Sequence, residues 1–469
     1  MNLTKFDDLF KPVNTIINDL DYKNISGKDK YNIIVKNKKL IHNFDNDIDQ
    51  GILHAINYYN NLNCFVIFGK NKNDSYNYYT EHFKDDYSLY GIKYMSLNSN
   101  IIPKIMYQLL FSRIIIKTKY DLYNTLEHDY KYLYKYIEDS LNKSIDITVL
   151  VVCKKDLMRK YPMHDVHAND FFIYIPNTKD SIWNCASVFF CETSIKFLEL
   201  QNFDFFLTKD NEPSNKMFLK YRNWINENID IKDRSQFMLF SSVILYLLGH
   251  REMNDIDLYI HTVSNETIEK LDTLKSNELF NFLEFRIKNT SNWPNYWNTW
   301  LDSWAQKSGA KYFEEILANP RFHFYFLGVK VISLDCDVVR RIERNRPRAI
   351  ADLIALKKKY QYKVLIPSIP EKSIKYIPID DKSEEIIKKL IDEGGVLNEL
   401  NKEISIESTV DQSKFINTII YALETRYKMI FTINEIKREL NMLGTKKILM
   451  EPLEEDIKKI KVLIKKINI

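Results

Sequence analysis

Two aspartates separated by one residue, Asp255 and Asp257 in the run MNDIDLYIH, have the types and spacing most suited to chemistry. If Ile256, Leu258 and Ile260 face a core, this run is a strand and both carboxylates emerge on its opposite face. Carboxylates held that close repel one another unless a cation lies between them. A hard divalent ion with oxygen ligands is the simplest resolution. With a third acid, such a pair can bind two ions and bridge a nucleoside triphosphate to an attacking hydroxyl. The plain alternative is an acidic strand end at the surface.

The elements that must position these acids lie just upstream. Ser241-Leu248, SSVILYLL, reads as a short helix whose beginning offers hydroxyls and free backbone amides, groups that can hold a phosphate. A turn at Gly249 then leads to the carboxylate strand. His250 falls in that turn, where contact with a substrate and local capping are both open readings. Further on, Arg340, Arg341, Arg344, Arg346 and Arg348 form a dense cationic cluster in RRIERNRPRAIADLIAL. Guanidinium forks suit a triphosphate or a nucleic-acid phosphate. The other reading is that Asp352 neutralises one or two of them and the cluster braces the domain.

The stretch SSVILYLLGHREMNDIDLY resembles the first motif of the DNA-polymerase-β-like nucleotidyltransferase superfamily. It is similar to the nucleotidyltransferase toxins of bacterial abortive-infection systems and, more distantly, to the poly(A) polymerase catalytic subunits of large DNA viruses. The resemblance implies a mixed sheet with helices on one side, three carboxylates and two Mg2+ or Mn2+ ions. The implied reaction moves a nucleoside monophosphate from an NTP to a hydroxyl, with pyrophosphate leaving. Asp255 and Asp257 would then be the catalytic, metal-binding carboxylates, and Ser241 and Ser242 would hold the triphosphate with His250 nearby. A distal signature is also similar: GVKVISLD (Gly328-Asp335) precedes the arginine run, Arg346 and Arg348 flank Pro347, and Asp352 takes the acidic place. Arg341, Arg346 and Arg348 are the implied triphosphate contacts. An RNA 3′ end, a protein or a small molecule would be the acceptor.

Two positions depart from the family pattern. Ser241-Ser242 stands where the family has Gly-Gly or Gly-Ser, and Ser241 adds a side chain where glycine permits close approach of backbone to phosphate. The third carboxylate is expected on a strand before Gly328. There KYFEEILANPRFHFYFLG offers Glu314 and Glu315, of which Glu315 is the expected metal ligand and catalytic acid. A catalytically inactive relative, keeping the fold for binding or scaffolding, is the competing expectation.

Two other groups are candidates. Trp293, Trp297, Trp300 and Trp304 fall on one helical face, as a stacking platform for bases or, the preferred reading, as packing. His164, Asp165, His167 and Asp170 have spacing that could hold a transition metal, with a surface loop as the alternative.

The 469 residues are 45% apolar, ample for buried cores, and 67 Lys plus Arg nearly balance 63 Asp plus Glu. This excludes global disorder and a strongly cationic coat protein, but not a local basic face. Three parts are expected: an α/β region at 1–204, a nucleotidyltransferase-like domain at 205–360 and a mainly helical region at 361–469. The fold class is α/β (α+β). Five scattered cysteines imply reduced thiols and a cytoplasmic setting. No apolar run is long enough for a membrane span. An oligomer remains open, and a viral source, in host cytoplasm or virion, would fit the composition.

Overall fold

The computed structural model describes residues 62–111, 119–139, 143–155, 165–167, 171–203, 212–229, 234–253, 255–260, 283–287, 304–310, 313–344, 346–359 and 412–443, with a few isolated positions besides. The architecture is α+β, with a mixed N-terminal region and a mainly helical C-terminal region. Two compact units divide the chain. One is Met1–Trp293 with Lys311–Leu334, the other Pro294–Ala310 with Asp335–Ile469. The apolar runs at 31–35 and 114–116, which read as strands, and the patterns at 382–393 and 453–467, which read as helices, lie outside the described residues, as do Trp293, Trp297 and Trp300.

The first unit contains two sheets. Strands β1 (Leu62–Phe68), β2 (Tyr87–Asn98), β3 (Ser144–Lys154), β4 (Val166–His167) and β5 (Phe172–Tyr174) pair antiparallel in the order β2-β3-β1-β5-β4. The central strand β1 reads LNCFVIF and is buried at every position, as a strand covered on both faces must be. Phe65, Ile67, Leu150, Val152 and Ile173 pack with Tyr79 of helix α1 (Lys72–His82) and with Phe83 and Tyr87 beyond it. Helix α2 (Ile102–Leu110) follows.

The sequence over 120–137 reads as one helix, but the structure has two, α3 (Lys119–Asp129) and α4 (Lys131–Asp139). Tyr130 sits at the break, buried, with its ring centroid 5.3 Å from that of Phe172. Packing onto β5 overrides the local helical pattern there. Helices α5 (Lys179–Phe189), α6 (Glu192–Leu200) and α7 (Glu212–Asn228) complete the approach to the second sheet.

That sheet is mixed, in the order β8-β7-β6-β10-β9, from β6 (Phe237–Phe240), β7 (Ile256–Ile260), β8 (Leu283–Ile287), β9 (His323–Phe326) and β10 (Val329–Ile332). β6 and β7 run antiparallel, β8 runs parallel to β7, and β10 runs parallel to β6. β9 and β10 form a hairpin whose two loop residues, Leu327 and Gly328, have φ of 49° and 75°. Positive φ at both positions is what a two-residue hairpin loop requires. Two short helices, α8 (Ser242–Leu247) and α9 (Phe313–Ala318), belong to this part of the unit.

The second unit is built on α10 (Leu334–Arg344, from Asp335 onward), α11 (Pro347–Lys359), α12 (Gln412–Tyr427) and α13 (Ile433–Met442). The sequence reads as helical at 412–425 and 433–441, and the last two elements match those readings. A reciprocal Thr432–Glu435 capping box sets the start of α13. Trp304 is buried and donates its indole N–H to Cys336 O at 2.8 Å, so this ring serves packing. All five cysteines are free, four of them buried. Among the described residues, no helix is long and apolar enough to cross a membrane.

Candidate functional site

Strand β6 passes into α8 through Ser241, whose backbone lies at φ 72°, ψ −122°. This is the first central position of a type II′ turn, a conformation dominated by glycine. A serine held there costs on the order of 1–3 kcal/mol. Ser241 therefore carries a backbone shape that glycine adopts without strain.

At the other end of α8, His250 N donates to Leu245 O and Gly249 N to Tyr246 O, the two bonds of a Schellman stop. Gly249 has φ 80°, and a Cβ there would meet Asn202 O at 2.3 Å. The backbone of His250 thus closes the cap, and its ring is buried at 1% exposure. That is the local capping role left open by the sequence.

The stop delivers the chain into β7 with Asp255 immediately before the strand and Asp257 opposite Phe240 of β6. Ile256, Leu258 and Ile260 are buried, as the alternating pattern required, and both aspartates are half-buried. The polar face ends quickly, however. Tyr259 is buried against Phe313 of α9, with ring centroids 4.3 Å apart, so the acids occupy only the opening of the strand.

Ser242 Oγ is shared between Asp255 O at 3.0 Å and Asp255 Oδ1 at 3.1 Å. A hydroxyl has one proton to donate, so in this arrangement Ser242 orients the carboxylate rather than a phosphate. Burial, followed by repulsion from Asp257, raises the Asp255 pKa above its ordinary value. The Ser242 hydrogen bond and the Arg251 charge act in the opposite sense. Arg251 was not among the sequence candidates, although its place in the GHRE turn, four residues before Asp255, was a signal.

The third acid is the point at which sequence and structure part. Glu314 and Glu315 fall on helix α9, not on a strand. The strand containing His323 lies at the far edge of the sheet from β8. Asn319 is buried and accepts Arg321 N on its side chain, a local turn role. The strand that flanks β7 on its free side is β8, LEFRI, and its register sets Glu284 directly opposite Asp257. Paired positions share one face of a sheet. Glu284 thus occupies the register position beside Asp257. Sequence reasoning missed it by looking to 311–328 for the third acid, although LEFRI alternates apolar and polar residues between the aspartate pair and Gly328. Among the described side chains, no three His, Cys, Asp or Glu residues cluster as a metal site.

Within the second unit, the arginine cluster divides. Arg340 Nε and Nη2 donate to Asp337 Oδ1 at 2.9 and 2.7 Å. Arg341 Nε donates to Asp337 Oδ2 at 2.6 Å and its Nη1 to Asp352. Asp352 also accepts the Tyr427 hydroxyl and lies 3.7 Å from Arg426. Apart from Arg426, which is half-exposed, these groups are buried, and together they tie α10, α11 and α12. Arg341 is therefore engaged by two carboxylates. Arg346 is half-exposed and Arg348 exposed, on either side of Pro347 at the first position of α11.

Of the possible transition-metal group, His164 and Asp170 lie outside the described residues. Asp165 Oδ1 accepts Ile175 N at 2.8 Å, and His167 in β4 packs its ring 5.1 Å from Phe172. Comparisons of the chain with protein-family models, curated proteins and solved structures found no match.

Proposed function

We propose that the chain is a metal-dependent nucleotidyltransferase of the DNA-polymerase-β-like type, transferring a nucleoside monophosphate from an NTP to a hydroxyl, with an RNA 3′ end as the acceptor. One observation carries the reading. A glycine-shaped turn at Ser241 leads from β6 into α8, and the chain returns with Asp255 hydrogen-bonded by Ser242 and Asp257 one pleat on. The register of Glu284 beside Asp257 supports it.

The donor set suits a hard divalent ion, because oxygen ligands crowd one end of β7 and Asp255 is destabilised in its charged form by burial and by Asp257. Asp255 and Asp257 would hold Mg2+ or Mn2+, with Glu284 as the third ligand in place of Glu315. Such ions supply charge neutralisation and Lewis acidity at the α-phosphate. Ser242 keeps the Asp255 carboxylate in one orientation before substrate arrives. Ser241, immediately before it, brings a backbone shape that allows close approach at the turn. Within the second unit, Arg346 and Arg348 keep surface exposure, whereas Arg341 serves the interior.

The test is incubation of the full chain with Mn2+ or Mg2+ and each α-labelled triphosphate, with RNA or protein present. Label transfer that disappears in Asp255→Asn with Asp257→Asn is the expected result. Triphosphate binding without transfer would favour the non-catalytic binding protein. Transfer unchanged by the double substitution would place the chemistry elsewhere.

A further inference from the structure

The tip of the β9–β10 hairpin is held in the first unit by side chains from three helices. Leu327 N donates to Gln108 Oε1 of α2 at 2.6 Å. Arg222 Nε of α7 donates to Leu327 O at 2.9 Å, and Trp183 Nε1 of α5 to Gly328 O at 2.9 Å. Gly328 leaves no room for a side chain, since a Cβ would meet Asn184 Oδ1 at 2.4 Å.

The charges at this tip do not balance. Arg222 is 6% exposed, and its guanidinium carbon lies 5.0 Å from the Phe111 ring centroid. The charged groups that act on it are Asp180 and Arg234, and these already pair with each other at 3.2 Å. Arg234 offsets part of the Asp180 attraction, and Arg222 remains a buried cation without a carboxylate in ion-pair contact among the described residues. Burial pulls its pKa below the usual guanidinium value. A buried, unpaired charge is among the most costly features a fold can keep.

Donors at the same tip are also unused. Gln108 is fully buried and its orientation is fixed by the bond from Leu327 N, which leaves Nε2 without a hydrogen-bond partner among the described residues. Asn184 Nδ2 is buried in the same condition. A water molecule would satisfy an amide but not the charge. The burial of Gln108 and Tyr107 and the contact with Phe111 favour an ion of atomic size over a phosphate ester.

We propose that a small inorganic anion of chloride size binds beside the Leu327–Gly328 tip as the counter-ion of Arg222, with the Gln108 carboxamide as a second donor. The site locks the hairpin to α2 and α7 and is independent of the carboxylates of β7. Thermal unfolding of the full chain should be compared in chloride and in gluconate at constant ionic strength. Saturating chloride raises Tm by on the order of 5 °C, as for any ligand that binds only the folded state. Arg222→Met abolishes the chloride response. Crystals grown in bromide should show an anomalous peak within hydrogen-bonding distance of the guanidinium, a readout that stands if the variant does not fold. Equal Tm in the two salts, a chloride response retained by Arg222→Met, or no bromide beside Arg222 would each overturn the proposal.

Discussion

The carboxylates at the start of β7 and the arginines of α10 are both dense runs of charge, and the fold treats them oppositely. Asp337 and Asp352 are buried and saturated by Arg340, Arg341 and Tyr427. Asp255 and Asp257 are half-buried beside each other; Asp255 accepts the Ser242 hydroxyl and its own backbone N–H, and the Arg251 charge acts on it, but neither acid is saturated by paired arginines as Asp337 is. The first arrangement spends its charge on internal pairing; the second retains mutual repulsion that a bound cation would relieve. Charge density in a sequence therefore does not mark a site. Under the proposed function, the half-buried acids at the strand opening, reached through a strained turn, are the site.

The comparison is broken most severely by removing one partner of the saturated network. Asp352→Ala leaves Arg341 half-paired and the Tyr427 hydroxyl without its acceptor, and should destabilise the second unit by about 3–5 kcal/mol in denaturant unfolding. An equal loss from Asp255→Asn with Asp257→Asn would erase the distinction between the two regions. Instead, that double variant should fold at least as stably without metal, and lose the stabilisation by Mn2+. At a hundredfold excess over the dissociation constant, that stabilisation is about 2.7 kcal/mol in the parent protein.

Smaller effects sharpen the contrast. Ser241→Gly relieves the positive-φ strain, partly offset by glycine's greater unfolded-state freedom, and should stabilise by roughly 1 kcal/mol. A destabilised glycine variant would remove the argument that this turn is strained. The pH dependence gives the subtlest test. The Asp255 pKa is raised in the folded protein, so the folded state binds more protons than the unfolded chain through the window above the ordinary carboxylate value. Stability of the metal-free protein should then fall as pH rises through that window, and Asp255→Asn should flatten the fall.

Local pattern made much of this legible. The alternation in IDLYI identified β7, and the apolar run after Ser241 identified α8. The stop at Gly249 was readable because only a small residue fits beside Asn202 at positive φ. The pairing of Asp337 with Arg340 and Arg341 was also within reach, because LDCDVVRR places them three and four residues apart on one helix. Non-local register was not legible. Glu284 meets Asp257 only through the pairing of β8 with β7, which no spacing along the chain encodes. Nor could composition reveal that Ser241 adopts a glycine's conformation, since that depends on how β6 and α8 are anchored.

The most direct test of the central claim is Mn2+ binding followed by electron paramagnetic resonance on the full chain and on Asp257→Asn and Glu284→Gln. The account predicts ion binding that weakens at least tenfold in each variant, because each removes a ligand from the same edge of β7 and β8. Binding absent from the parent, or unchanged in Asp257→Asn, would contradict it.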